Sequence, residues 1–129
     1  MSWLDRLRPG RRPSGPGPSA ARPGRADRAV FDEAARHLRG FAATREGVEG
    51  FVEPATSVTG PTMVFVARDG EWTRRRVPSP TAAHHLANTA GVPSYDVAAV
   101  GYPQRMRDWT HRQRLAGEPE KPPRPRGLY

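Results

Sequence analysis

Thr62-Met63-Val64-Phe65-Val66-Ala67-Arg68-Asp69-Gly70-Glu71-Trp72-Thr73-Arg74-Arg75-Arg76-Val77 is the stretch that decides the fold. Two runs rich in β-branched and aromatic residues flank Asp69-Gly70, the strongest short-range hairpin signal, because a type I′ turn needs φ > 0 at both central residues. A two-residue loop pairs Ala67 with Trp72, Phe65 with Arg74 and Met63 with Arg76, and sets those six side chains on one face. Val66 with Thr73, Val64 with Arg75, and Thr62 with Val77 then occupy the other face.

Outward from the hairpin, the chain alternates between elements and breakers. Upstream, Val48 to Glu53 reads as a short strand closed by Pro54, and Gly60-Pro61 as a turn. Before that strand, Phe31, Ala34, Leu38, Phe41 and Ala42 recur at helical spacing. They predict a helix over about 27–45, with Asp27 as its cap, Gly47 as its stop and Gly40 as a weak point inside it. Downstream, Ser79 caps a helix that opens with Pro80, runs along Ala83, Leu86, Ala87 and Ala90, and ends at Gly91. Tyr95 to Val100 reads as a buried strand. A third helix follows Gly101, with Pro103 in its first turn and Tyr102, Met106 and Trp109 on its apolar side.

The element order α-β-β-β-α-β-α predicts an α+β domain, with a small three- to four-stranded, mainly antiparallel sheet and the helices on one face. Residues 26–116 form this single domain. The ends, residues 1–25 and 117–129, are Pro-, Gly- and Arg-rich and are expected to be disordered. Ser2-Trp3-Leu4-Asp5-Arg6-Leu7-Arg8 could add two helical turns, as a surface anchor or simply as a frayed start.

The formal net charge is +8, but it is unevenly spread. Residues 1–25 hold six Arg and one Asp, whereas residues 26–116 set twelve Arg against ten acids. Twenty Arg accompany a single Lys and no Ile, a pattern of high-GC codon usage. The absence of cysteine excludes disulfides, thiolate metal sites and cysteine nucleophiles. No apolar run reaches the ~20 residues of a membrane span, and the first residues lack a signal-peptide core, so a cytoplasmic location is expected.

Two constellations carry chemistry. On the expected hairpin face, Phe65 and Trp72 would offer stacking and Arg74 and Arg76 would grip an anion; equally, these arginines protect an edge strand and cover Phe65 with their stems. In the third helix, Arg105, Arg107, Arg112 and Arg114 face Asp108 alone, near a helix start that suits an anion. The same charges also read as a solvated face paired by Asp108 and Arg112. His84 and His85 point about 100° apart, and His37 and His111 stand on other helices, so no metal spacing appears. No nucleophile elbow, phosphate loop or dinucleotide fingerprint is present, and the acids are scattered; no catalytic, cofactor or metal residues are assigned.

The segment GVEGFVEP…VARDGEWTRRRVPSP…YDVAAVGYPQRMRDW resembles the core of a group of small high-GC actinobacterial proteins of unknown function, over roughly 27–115. The α-β-β-β-α order, with Gly60-Pro61 and Phe65, is similar at a lower level to double-stranded-RNA-binding domains. That family grips phosphates with lysines at the start of its second helix, where this chain has Ser79-Pro80-Thr81-Ala82-Ala83. The leading expectation is a non-catalytic interaction or regulatory module with a protein partner. The alternative is a phosphate or nucleic-acid binder using Arg74, Arg76, Arg105 and Arg107.

Overall fold

The computed structural model describes residues 24–117; the expectations for the Ser2–Arg8 turns and for most of both Pro-rich ends concern residues outside that range. Helix α1 (Arg25–Thr44) starts one turn earlier than its apolar pattern suggests, with Gly24 as N-cap and Asp27 inside the first turn rather than capping it. Its Ala34, Ala35, Leu38 and Phe41 are buried. Strands β1 (Glu49–Glu53), β2 (Thr62–Val66) and β3 (Trp72–Arg76) follow as an antiparallel meander. Helix α2 (Pro80–Thr89) is capped as expected, the Ser79 side chain accepting from the Ala82 amide at 3.1 Å.

The expected strand at 95–100 is cut short. β4 is only Ser94–Asp96, and Val97–Val100 coil into a single helical turn, α3, closed by a bond from the Gly101 amide to the Val97 carbonyl at 2.8 Å. The reason lies in its neighbour. β4 pairs in parallel with β1, from Gly50↔Ser94 to Val52↔Asp96, and β1 then reaches Pro54, which has no amide to extend the ladder. Helix α4 (Gln104–Leu115) follows, with Pro103 as its N-cap rather than inside its first turn.

The sheet order is β3-β2-β1-β4, so the domain is α+β with a mixed sheet in which two of the three pairings are antiparallel. The helices are not confined to one face. On one side Ala34, Leu38, Phe41, Leu86 and Ala87 of α1 and α2 pack on Val52, Met63 and Phe65. On the other, Val97 of α3 and Met106 of α4, with Tyr102 and Trp109, pack on Phe51, Val64, Val66 and Trp72. The central strand β2 is buried at all five positions, which is what an uninterrupted apolar run such as Met63-Val64-Phe65-Val66 means.

The hairpin turn differs from type I′, and the difference moves every cross-strand pair. Among the described residues, none other than glycine has positive φ, so Asp69 does not adopt the left-handed conformation that type I′ requires. Instead Arg68-Asp69-Gly70 form a three-residue loop, with Gly70 at φ 97°. The loop is closed by Gly70 N–H to Ala67 carbonyl at 2.9 Å and Ala67 N–H to Glu71 carbonyl at 2.8 Å. This is the G1-bulge solution, and Asp69 supports it by accepting the Glu71 amide at 2.9 Å. The extra loop residue shifts the register by one: Val66↔Trp72, Phe65↔Thr73, Val64↔Arg74 and Met63↔Arg75. Because side chains alternate, Phe65 moves to the face opposite Trp72, Arg74 and Arg76.

Candidate functional site

The arginine–aromatic face expected from the hairpin exists only in part, and one of its two cations, Arg74, is already held. Glu53, the last residue of β1, is completely buried. Thr62 faces it across the β1–β2 ladder and Arg74 lies two pairs further along the β2–β3 ladder, so the three side chains meet on the α4 side of the sheet. Arg74 Nε donates to Glu53 Oε1 at 2.9 Å and its Nη2 to Oε2 at 3.1 Å, a two-point grip. The Thr62 hydroxyl donates to Oε1, and the Tyr102 hydroxyl, from the connection between α3 and α4, donates to Oε2. Each carboxylate oxygen therefore accepts two bonds. The guanidinium carbon of Arg74 also lies 5.2 Å over the Trp72 ring. A buried carboxylate held this way is a cross-link between β1, β2, β3 and the α3–α4 connection, and it occupies the guanidinium expected to grip an external anion.

The other expected residues are spread out. Arg76 is exposed at the Glu53 end of the sheet, its guanidinium against Gly60. Arg105 lies toward the opposite end, donating to Glu49 Oε1 at 2.8 Å and to the Ala67 carbonyl at 2.9 Å. Arg107 is exposed and donates to Gln104 at 2.9 Å. The four arginines therefore do not converge on one surface. Neither expected stacking ring offers a face to a base: Phe65 is fully buried beneath α1 and α2, and Trp72 is 4% exposed with its Nε1 donating to Thr110 at 3.0 Å.

A different cluster forms where β4 edges the sheet. Ser94 and Asp96, two residues apart on the strand, point the same way, and His84 of α2 lies between them. His84 Nδ1 is 2.7 Å from Ser94 Oγ and Nε2 is 3.2 Å from Asp96 Oδ1. The pattern was legible only as Ser-x-Asp on a strand; the histidine comes from an element ten residues upstream. With 39% of the His84 side chain and 62% of the Asp96 side chain exposed, water competes for the pair. The cluster fastens α2 to β4. Beside it, Val52, Pro54, Pro80, Ala98 and Ala99 line an apolar depression of about 300 Å³ that Asp96 borders. Tyr95 on the strand and Val100 on α3 are both exposed, and the Tyr95 ring centroid lies 5.8 Å from that of Phe51.

Retention on heparin should therefore follow the six Arg of residues 1–25 and not the folded part. Deleting residues 1–23 is expected to remove most of it, while the double substitution Arg76→Ser/Arg107→Ser, which spares the ion pairs of Arg74 and Arg105, should change the elution salt little. Loss of retention in the double variant alone would restore the polyanion reading. No family model, curated protein or solved structure matches this chain.

Proposed function

We propose that the chain is a small, non-catalytic, cytoplasmic interaction module, and that its docking surface is the outer edge of β4 with the apolar depression beside it. The observation that carries this reading is the coincidence of an edge strand with exposed Tyr95 and Val100 and a pocket walled by Pro54, Pro80 and two alanines. Among the described residues β4 is hydrogen-bonded to β1 on one side alone, so its other edge presents backbone donors and acceptors. An extended peptide can add there as a further strand. With three residues in β4, the added ladder is short, and side chains must supply most of the affinity: one apolar residue in the depression and one against Tyr95. Among the described residues, no helix is long and apolar enough to cross a membrane.

A photo-crosslinking residue at position 95 tests this in native lysate, with the same residue at position 43, on the exposed end of α1, as the comparison. Discrete adducts are expected from position 95 and not from position 43, and Val100→Asp should suppress them. Equal adducts from both positions, or none from position 95, would remove this surface from consideration.

A further inference from the structure

The opposite edge of the sheet holds a second site, independent of β4, between α1 and β3. Arg36, His37 and Gly40 on one side of α1, with Arg45 at its C-cap, face Glu71 and Thr73 across a depression of about 400 Å³. We propose that this groove binds the oxyanion group, phosphate or carboxylate, of a small polar ligand, through Arg36 and the Thr73 hydroxyl.

Three observations point there. The first is a cation without a partner: among the described residues, Arg36 makes no hydrogen bond or ion pair, whereas Arg45 is held by Glu71 at 2.7 and 3.2 Å and lies 4.3 Å over the Phe41 ring. Glu71 raises the pKa of Arg45 by this hydrogen bond, fixing it as a positive wall of the groove.

The second is the order of protons along β3. Arg75 Nη2 lies 3.2 Å from His37 Nδ1, and a guanidinium only donates, so Nδ1 accepts. Nε2 then carries the ring proton and donates to Thr73 Oγ1 at 2.7 Å. The hydroxyl proton of Thr73 is left pointing away from His37, and among the described residues it has no acceptor. An oxyanion beside Arg36 supplies one.

The third is Gly40. Glycine is the poorest helix former after proline, and it stands inside α1 where an added Cβ would meet nothing within 4 Å. Packing in the described fold does not require its bare backbone; what its absent side chain leaves is the open floor of the groove. Groove charge is modest, with Arg36 and Arg45 set against Glu71, which suits a single anionic group on a larger polar molecule better than a polyanion.

The test is an amide-resolved NMR titration of the full chain with inorganic phosphate at constant ionic strength. Saturable shifts are expected at Gly40 and Thr73, with millimolar affinity, and a single Arg36→Gln substitution should weaken binding at least fivefold. Gly40→Gln fills the groove while favouring the helix, so it should abolish the shifts and leave the thermal midpoint equal or higher, which separates a blocked site from an unfolded one. Arg107→Gln, on α4, should leave the titration unchanged. Shifts that fail to saturate, that appear only among the arginines of residues 1–25, or that persist in Gly40→Gln would overturn the proposal.

Discussion

Gly70→Val is expected to lower folding stability by about 3–5 kcal/mol, combining the strain of a β-branched residue at positive φ with a direct overlap. Gly70 sits at φ 97° at the tip of the hairpin, and an added Cβ would stand 2.0 Å from the carbonyl oxygen of Arg105 and 2.8 Å from Trp109 Cβ. The first of these is helix backbone, which cannot rotate away as a side chain would. The turn is thus wedged under α4, and Arg105 and Arg112 hold it there by donating to the carbonyls of Ala67 and Asp69 at 2.9 Å each. Gly91→Val separates the two terms: Gly91 has φ 72° but nothing within 4 Å of its added Cβ, so only conformational strain of about 1–2 kcal/mol applies. Urea unfolding of both variants reads the difference. Equal losses would mean that α4 does not press on the turn. Against a total stability of about 5–15 kcal/mol for a domain of ordinary size, the Gly70 variant is close to the limit of folding.

The hairpin also shows where a sequence reading stops. Asp-Gly between two β-rich runs located the turn correctly, but the loop contains one residue more than the dipeptide rule supplies, and that residue reversed the facing of Phe65 relative to Arg74. The choice depends on contacts from outside the hairpin: the Arg68 amide donates to the Glu46 carbonyl at 2.8 Å, and α4 covers the tip. Neither contact is local. The two-sided burial of β2, by contrast, was within reach of the sequence, because Met63-Val64-Phe65-Val66 is apolar on both alternating sets, although the helices were expected on one face. So was the start of α2, since a serine followed by proline specifies a helix start without tertiary help.

The site residues were harder for the same reason. Glu53 and Arg74 lie 21 residues apart and Glu53 and Tyr102 lie 49 apart, so only the strand pairing and the return of the chain after α3 bring them together. An arginine triplet on an edge strand reads as solvent-facing in isolation, and one of the three, Arg74, proves to be the half-buried partner of a buried carboxylate. The His84, Ser94 and Asp96 cluster joins a helix to a strand, which no spacing in the sequence announces.

Arg74→Met is expected to cost about 3–5 kcal/mol, more than Glu53→Leu, because the two halves of the pair are buried unequally. Glu53 has no exposed surface and Arg74 has 13% of its side chain exposed. Removing the guanidinium leaves a carboxylate in the interior with only the Thr62 and Tyr102 hydroxyls to compensate it. Removing the carboxylate instead leaves a long, flexible cation close to the surface, which can turn toward water, together with two hydroxyls that lose an acceptor. The double variant Glu53→Leu/Arg74→Met buries no charge and keeps apolar volume beneath Tyr102, so it should be more stable than Arg74→Met alone. A double-mutant cycle followed by urea unfolding at neutral pH measures this directly. Strong non-additivity, with the second substitution rescuing the first, identifies Glu53 and Arg74 as one internal cross-link. Simple addition of the two losses would mean that Arg74 acts chiefly through the Trp72 ring beneath it, and its guanidinium would again be a candidate for an external anion.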